Sequence, residues 1–333
     1  MSIRGLLLGT AVGDSLGLPR EGLSRRRAAR MYPGPLRQRL LFHRGMLSDD
    51  TEHACMTAQA LLATNDVEQF RRSLAWKLRW WLLGLPPAIG LGTLRAIVRS
   101  WVGFGRGSGV ASAGNGPVMR APIIGAWFDD IERIAPFVAA STESTHRDSR
   151  AHEGALAIAI AAHHAVRGTT SAVLDDIRCR VVGEELLRSI DRVENALVTK
   201  RECAVLADEL GLAGGVTGYV NHTVPMCLHA WLASPMDFRG AVDRVIELGG
   251  DSDTTGAIVG ALAGASAGEG AIPHEWLAIA DAPRTLDWIS RLADRVGERG
   301  GPLAIAWPLV PVRNLAFLAV VLGIVLRRAL PPY

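Results

Sequence analysis

Two short acidic segments carry the side chains best suited to chemistry. They are Ser48-Asp49-Asp50-Thr51 and Asp251-Ser252-Asp253-Thr254. Asp, Ser and Thr just before a helix usually cap its free N–H groups, but one helix start needs one cap and each segment offers several. The surplus carboxylate and hydroxyl oxygens are hard ligands, which favours Mg²⁺ or Mn²⁺ over zinc. The matched pair of segments therefore predicts a site for divalent metal ions.

Two runs of glycine at every fourth position could bring the acidic segments together. They are Gly5, Gly9, Gly13 and Gly17 at the start of the chain, and Gly256, Gly260, Gly264 and Gly268 after the second segment. Glycine costs a helix about 1 kcal/mol relative to Ala, and close contact between two helix backbones is the simplest reason to accept that cost. Such packing would bring Asp14 and Glu21 near Asp251 and Asp253. Ordinary packing of small residues, with no site nearby, is the alternative.

The spacing of apolar residues predicts an all-α fold. Apolar side chains recur every three or four residues, and the alternation typical of strands is scarce. The predicted helices cover residues 51–63, 68–83, 154–166, 190–209, 222–233, 238–247 and 254–268. The glycine-rich residues 103–116 are predicted to form a flexible loop, whose N–H groups could cradle phosphates. Trp76, Trp80 and Trp81 lie at helical spacing and are expected in the core.

Composition favours an intracellular globular enzyme. The chain has 333 residues, of which 49% are hydrophobic, and it can bury one large core or two smaller ones. Its cysteines form no CxxC pair and no secreted pattern, so we expect them to be reduced in a cytoplasmic setting. The chain has no Walker-type lysine and no Gly-x-Ser-x-Gly motif. A P-loop and covalent acyl chemistry are therefore not indicated.

The basic residues are unevenly distributed. The net charge is only +3, yet every basic residue except Lys77 and Lys200 is an arginine, and eight of the arginines lie between Arg20 and Arg44 with Glu21 as the only acid. Guanidinium groups match phosphate oxygens in geometry, so this segment could receive a diphosphate or an acidic partner. A solvated surface segment is the simpler interpretation.

Five segments together resemble a known family. They are GLLLGTAVGDSLGLPREG (5–22), GMLSDDTEHA (45–54), GNGPVMRAPIIG (114–125), STHRDSRAHEGA (144–155) and LGGDSDTTGAIVGALAGA (248–265). In this order they resemble the ADP-ribosylglycohydrolases, and the pairing of SDDT with GGDSDT is the most specific part of the likeness. The resemblance implies a compact orthogonal bundle of helices and two bound divalent cations, Mg²⁺ or Mn²⁺.

The resemblance also implies roles for individual positions. The implied metal ligands are Ser48, Asp49, Asp50, Asp251, Asp253 and Thr254, with Ser48 standing where the family has threonine. The implied catalytic residues are Glu21, Asp50 and Asp251. The implied ADP-ribose pocket contains Gly114, Asn115, Gly116 and His146. Ala113 stands where the family often has an aromatic residue before this glycine pair.

The function implied by the resemblance is metal-dependent hydrolysis of an ADP-ribosyl N- or O-glycosidic bond. The acceptor would be a protein, a small-molecule conjugate or a nucleic acid. Two alternatives stay open. One is a different two-metal hydrolase that acts on phosphate esters, and the other is a non-catalytic relative that only binds ADP-ribose.

The end of the chain departs from this family core. We expect a catalytic domain over residues 1–299 and an apolar tail over residues 300–333. The run from Leu315 to Leu326 is uninterrupted by polar residues but shorter than the span of about 20 that a bilayer requires. We expect a helix docked on the protein or in an oligomer interface. Interfacial attachment to a membrane is the second interpretation, and a true membrane span is the third.

Overall fold

The computed structural model describes residues 2–102 and 108–330, and these ranges contain sixteen α-helices and a single two-stranded sheet. The all-α prediction is therefore confirmed. The helices are α1 (Ile3–Gly17), α2 (Arg25–Met31), α3 (Asp49–Ala63), α4 (Val67–Leu83), α5 (Leu91–Val102), α6 (Ala121–Trp127), α7 (Ile134–Glu143), α8 (Ser149–Arg167), α9 (Val173–Arg180), α10 (Glu184–Val198), α11 (Cys203–Glu209), α12 (Val220–Leu232), α13 (Phe238–Ile246), α14 (Ser252–Ala267), α15 (Leu286–Gly297) and α16 (Leu309–Arg328). The strands are β1 (Leu23–Ser24) and β2 (Gly249–Gly250).

The predicted helix over 190–209 is wrong, because the chain breaks there into α10 and α11. Lys200 adopts a left-handed backbone with φ of 51°, and the N–H of Arg201 bonds back to the carbonyl of Ala196 at 2.7 Å. Both helices pack apolar residues on the same core. The apolar spacing therefore runs through the break and conceals it.

The described part of the predicted loop over 103–116 contains no helix and no strand beyond isolated bridges, which agrees with a loop. Residues 103–107 lie outside the described ranges. The N–H of Val110 bonds to the carbonyl of Thr145 at 3.1 Å, and the N–H of Asn115 bonds to the carbonyl of Gly218 at 2.9 Å. Residues 108–116 are thus held between two other segments.

Helices α1 and α14 form the centre of the molecule. They run antiparallel, with Gly5, Gly9 and Gly13 facing Gly264, Gly260 and Gly256 respectively. A Cβ placed on any of these glycines would overlap a carbonyl oxygen of the opposite helix. The predicted close backbone contact is confirmed, except that Gly268 lies beyond it in open space. The other helices of the core, α3, α6, α8, α12, α13 and α15, pack around this pair.

One face of α16 packs on the rest of the protein. Phe317 is buried with Leu18, Leu40 and Met46. Arg313 pairs with Asp281, and both side chains are buried. The opposite face of α16 is exposed.

Candidate active site

The glycine-lined contact between the antiparallel helices α1 and α14, here called the seam, acts together with the small sheet. They place the C-terminal end of α1 beside the N-terminal end of α14. The C-terminal end of α1 meets the first turn of α14, where Gly17 contacts the backbone of Ser252. Just beyond, β1 pairs with β2 in the register Leu23↔Gly250, and the N–H of Gly22 bonds to the carbonyl of Gly250 at 2.7 Å. Glu21 and Asp251, which flank this pairing, are thereby held on neighbouring segments.

Asp14 holds the first acidic segment in place. This aspartate is fully buried in α1, and its Oδ2 accepts the backbone N–H of Ser48 at 2.9 Å and that of Thr51 at 3.3 Å. The Thr51 hydroxyl donates to the same oxygen. The glycine spacing predicts Asp14 near the site, but the sequence pattern indicates no role for it. The available signal was a carboxylate within the apolar, glycine-lined helix.

The two acidic segments are joined directly. The hydroxyl of Thr254 in α14 donates to Oδ2 of Asp50 in α3 at 3.2 Å, and the Ser48 hydroxyl donates to the same oxygen at 3.2 Å. Asp251 stands at the N-cap of α14 yet its side chain makes no capping hydrogen bond. The structure therefore brings the SDDT and DSDT segments into one cluster and leaves the Asp251 carboxylate available for another partner.

Burial raises the pKa of every carboxyl group in the cluster for which a shift is resolved, and neighbouring carboxylates add to the rise for all of them except Asp14. Burial raises the pKa of Asp14 to about 6. Burial first, then neighbouring carboxylates, raise the pKa values of Asp49, Asp50 and Asp253 well above their usual range. The pKa of Glu21 is raised by burial and by Asp251, and Arg328 partly opposes this rise. Desolvated carboxylates at close range favour neutralisation by protons or by a cation.

The donor set fits hard divalent cations. Within the described residues, one carboxylate oxygen each of Asp14, Asp50 and Asp253 is buried without a hydrogen-bond partner. Buried unpaired oxygens of this kind are costly, and oxygen-rich clusters suit Mg²⁺ or Mn²⁺. Among the same described residues, no group of three or more His, Cys, Asp and Glu side chains is arranged to hold a metal ion. The hydroxyls of Ser48 and Thr254 add two further oxygens beside the Asp50 carboxylate.

The second predicted group of residues adjoins this cluster through Asn115. Its side-chain amide donates to Oδ2 of Asp251 at 2.7 Å and to the hydroxyl of Thr223 at 3.0 Å. Gly218 lies against the same carboxylate, where an added Cβ would come within 3.3 Å of Asp251 Oδ2. Thr223 and Gly218 were not identified from the sequence, because neither belongs to a recognisable motif.

The imidazole ring of His146 lies against Gly114 and Gly116. A Cβ added to Gly116 would lie 3.1 Å from the imidazole Cε1, and one added to Gly114 would lie 3.3 Å from Nε2. Burial, and then the positive charge of Arg120, lowers the pKa of His146 to about 4. The ring is therefore neutral at pH 7 and can exchange hydrogen bonds with a ligand without carrying charge. The predicted residues Gly114, Asn115, Gly116 and His146 thus lie together.

Comparison with known proteins gives a consistent result. The sequence profile of the ADP-ribosylglycohydrolase family matches residues 2–303. The chain is 29% identical over 316 residues to an uncharacterised protein of Archaeoglobus fulgidus, covering 89% of this chain and 95% of the relative. It is 28% identical to the ADP-ribosyl-[dinitrogen reductase] glycohydrolase of Rhodospirillum rubrum, covering 83% of this chain and 89% of that enzyme. A solved structure of an ADP-ribosylglycohydrolase-related protein complex matches with a TM-score of 0.68 and 27% identity, covering 89% of this chain and 97% of that one.

Proposed function

Because the chain belongs to the ADP-ribosylglycohydrolase family, we propose that it is a metal-dependent hydrolase of an ADP-ribosyl N- or O-glycosidic bond. Residues 1–299 form the catalytic unit in this proposal. One observation carries it: the ends of α1, α3 and α14 bring Glu21, Asp50 and Asp251 together beside buried carboxylate oxygens that have no protein partner among the described residues.

The proposed metal ligands are those of the two acidic segments. They are Ser48, Asp49, Asp50, Asp251, Asp253 and Thr254. When bound, two Mg²⁺ or Mn²⁺ ions would orient the ribose hydroxyls and polarise a water molecule. Ser48 retains the hydroxyl oxygen of the family threonine and already bonds to Asp50, which supports its place in the set.

Proton movement is assigned to Glu21. Cleavage of the glycosidic bond develops positive charge on the ribose ring, which the carboxylates of Asp50 and Asp251 stabilise. The raised pKa of Glu21 moves this carboxyl toward the range in which it can take a proton from water or give one to the leaving atom. Asn115 holds Asp251 by its hydrogen bond, and His146 and the glycine backbone line the place of the ADP-ribose.

The acceptor is proposed to be a protein side chain or a small-molecule conjugate, with a nucleic-acid end as a further candidate. The Rhodospirillum rubrum relative is named for the removal of ADP-ribose from a protein, which supports the first class. A cytoplasmic location, which the spacing of the cysteines favours, belongs to the same proposal.

One assay panel tests the activity. Arginine-linked, serine-linked, nucleic-acid-linked and small-molecule ADP-ribose are each incubated with Mg²⁺, Mn²⁺ or a chelator. We expect release of ADP-ribose from at least one substrate, and loss of that release with the chelator. Release of inorganic phosphate from phosphate esters without release of ADP-ribose would indicate the two-metal phosphoesterase instead. Binding of ADP-ribose with no turnover of any substrate would indicate the non-catalytic relative.

Metal binding can be tested without activity. A free metal concentration of about 100 times the Kd stabilises the folded protein by about 2.7 kcal/mol, so saturating Mg²⁺ or Mn²⁺ should raise the Tm of this 333-residue chain by about 4 °C. The variants Asp49→Asn and Asp253→Asn should lose this rise. In chelator they should be more stable than the parent, because each removes a buried carboxylate whose pKa is raised. Calorimetry measures the rise in Tm with metal for the parent, for the two variants and for the control Asp287→Asn, which lies at an exposed position of α15. If the rise were undiminished in both Asp49→Asn and Asp253→Asn, the assignment of the metal ligands would be refuted.

A further inference from the structure

Helix α16 turns an apolar face to solvent. Its exposed positions between 312 and 326 are Val312, Leu315, Ala316, Leu318, Ala319, Leu322, Gly323, Val325 and Leu326. The polar residues Arg313 and Asn314 are on the buried face instead. This is the reverse of the usual surface helix, which keeps its polar side in water. A continuous apolar surface of this kind marks a binding surface.

A strained turn presents a further apolar side chain beside α16. Phe42 is 92% exposed, and both Phe42 and His43 have left-handed backbones, with φ of 45° and 66°. Bulky residues rarely adopt this conformation, and such strain tends to persist where it serves a function. The preceding Leu41 packs against the buried cluster that contains Phe317 of α16, as do Val321 and Ile324 of that helix. The turn is thereby fixed next to the helix.

Tryptophans adjoin the first turn of the same helix. The prediction that Trp76, Trp80 and Trp81 lie in the core is wrong for two of them, because only Trp81 is buried and Trp76 is 54% exposed. The ring of Trp80 lies 5.5 Å from that of Trp307, just before α16. Tryptophan is enriched where protein meets the headgroup region of a membrane.

The arginine-rich segment lies at the other end of α16. The Arg27 guanidinium donates to the carbonyl of Arg328 at 2.6 Å, and that of Arg328 donates to the carbonyl of Pro19 at 3.0 Å. The exposed arginines around this junction are Arg26, Arg30, Arg37, Arg44 and Arg327. Neither residues 22–48 nor α16 contains an acidic residue. Although Glu21 faces Arg328 and Asp208 pairs with Arg25, the arginines outnumber the acids at this end of the apolar surface.

We propose that the exposed face of α16, the Phe42 turn and these arginines form a surface that binds an anionic lipid membrane, with α16 lying in the plane of the interface. Apolar area together with basic residues is the combination that holds interfacial helices on anionic lipids. A second copy of this surface would supply no carboxylates for the arginines, whereas lipid headgroups supply anionic oxygens. The inference is independent of the proposed enzymatic function.

The contacts of α16 favour lying on the membrane over crossing it. By length and composition, α16 could cross a bilayer, with a mean hydropathy of 2.3. However, Arg313 Nε donates to Asp281 at 3.0 Å, and the Asn314 amide donates to the carbonyl of Gly84 at 2.8 Å. A spanning orientation would break both contacts and carry two polar side chains into lipid.

The test is flotation of the full-length chain with two kinds of vesicle. One is phosphatidylcholine alone, and the other is phosphatidylcholine mixed with phosphatidylserine. We expect flotation with the anionic vesicles only, and weakening by salt. Leu322→Glu and Phe42→Glu should each lower binding by at least about tenfold. Val198→Glu, at an exposed valine on α10, should bind like the parent.

A matched pair of double variants tests whether the arginines contribute to binding of anionic vesicles. Arg26→Gln/Arg30→Gln on α2 should weaken anionic binding, and Arg188→Gln/Arg192→Gln, at the same spacing on α10, should not. Circular dichroism checks that each variant is folded. Absence of flotation with either vesicle, or equal flotation of the parent and Leu322→Glu, would overturn the proposal. So would a dimer, detected by sedimentation, that Leu322→Glu dissociates in a protein that does not bind vesicles.

Discussion

At the scale of single residues, the chemistry depends on how the fold changes the proton affinity of Glu21. Burial and Asp251 raise its pKa, and Arg328 at the end of α16 opposes them. Glu21 follows the last turn of α1 and precedes β1, so its backbone is held on both sides. The carboxyl group is thus positioned by elements that do not themselves react.

Replacing Glu21 should separate turnover from binding. Glu21→Gln keeps the size of the side chain but cannot exchange a proton, so kcat should fall by about 10²–10⁴-fold. The affinity for ADP-ribose should change little. Initial rates and calorimetric titration measure the two quantities, with the exposed Glu247→Gln as control. Wild-type turnover by Glu21→Gln on every cleaved substrate would remove this residue from the mechanism.

The lowered pKa of His146 predicts that the stability of the folded protein depends on pH. Its pKa of about 4 lies below the ordinary value of 6.5, so the unfolded chain binds more protons between these values. The stabilising contribution is present above pH 6.5 and is lost as the pH falls toward 4. The resulting loss in the free energy of unfolding is about 3 kcal/mol in full.

Denaturation at several pH values measures the effect of His146. The variant His146→Gln should show a weaker loss of stability between pH 6.5 and pH 4 than the parent. The exposed His274→Gln is the control for loss of a histidine. Identical pH profiles for His146→Gln and the parent would show that folding does not lower the pKa of His146.

At the scale of elements, the seam between α1 and α14 decides where the site is. The antiparallel register from Gly5–Gly264 to Gly13–Gly256 places the ends of both helices at the same edge of the molecule. The β1–β2 pairing then aligns the segments that follow α1 and precede α14. A shift of one helix along the other would move Glu21 away from Asp251.

Adding one methyl group to the seam tests this dependence. Gly9→Ala or Gly260→Ala would place a Cβ against the backbone of the opposite helix, and we expect a loss of about 1–3 kcal/mol together with reduced activity. Gly297→Ala, in a helix where no atom lies within 4 Å of the added Cβ, should be neutral. Chemical denaturation measures both. A neutral Gly260→Ala would mean that the two backbones are not in contact.

At the scale of the whole molecule, a buried ionic network holds α16 to the catalytic body. Arg313 and Asp281 are both buried, and Asp281 also accepts the N–H of Leu47 at 3.1 Å, just before the first acidic segment. Glu52 in α3 bonds to Arg284 at 2.5 Å and to the indole N–H of Trp81. The helix that carries the exposed apolar face is therefore attached close to the site.

Removal of one partner should destabilise the whole protein. Arg313→Ala leaves the Asp281 carboxylate buried and unpaired, and we expect a cost of about 3–5 kcal/mol. Arg327→Ala, at an exposed position of the same helix, should cost little. Urea denaturation compares the two variants. Equal stability would show that α16 contributes no buried ion pair to the fold.

Local pattern in the sequence was sufficient for several features. The spacing of apolar residues predicted α3, α4, α8, α12, α13 and α14, because one buried face of a helix repeats every 3.6 residues. The paired acidic segments and the glycine runs pointed to the contact between α1 and α14, since only backbone proximity accounts for so many glycines in a helix. Five motifs in one order were enough to indicate the family.

Other features depended on contacts between distant parts of the chain. The break at Lys200, the support that Asp14 gives to Ser48 and Thr51, and the bond from Asn115 to Asp251 have no signature in local spacing. The same holds for α16, whose apolar run could equally have been buried on all sides. Only the tertiary structure decided that Arg313 faces inward and Leu322 outward, because the partner of Arg313 is a carboxylate 32 positions away in sequence.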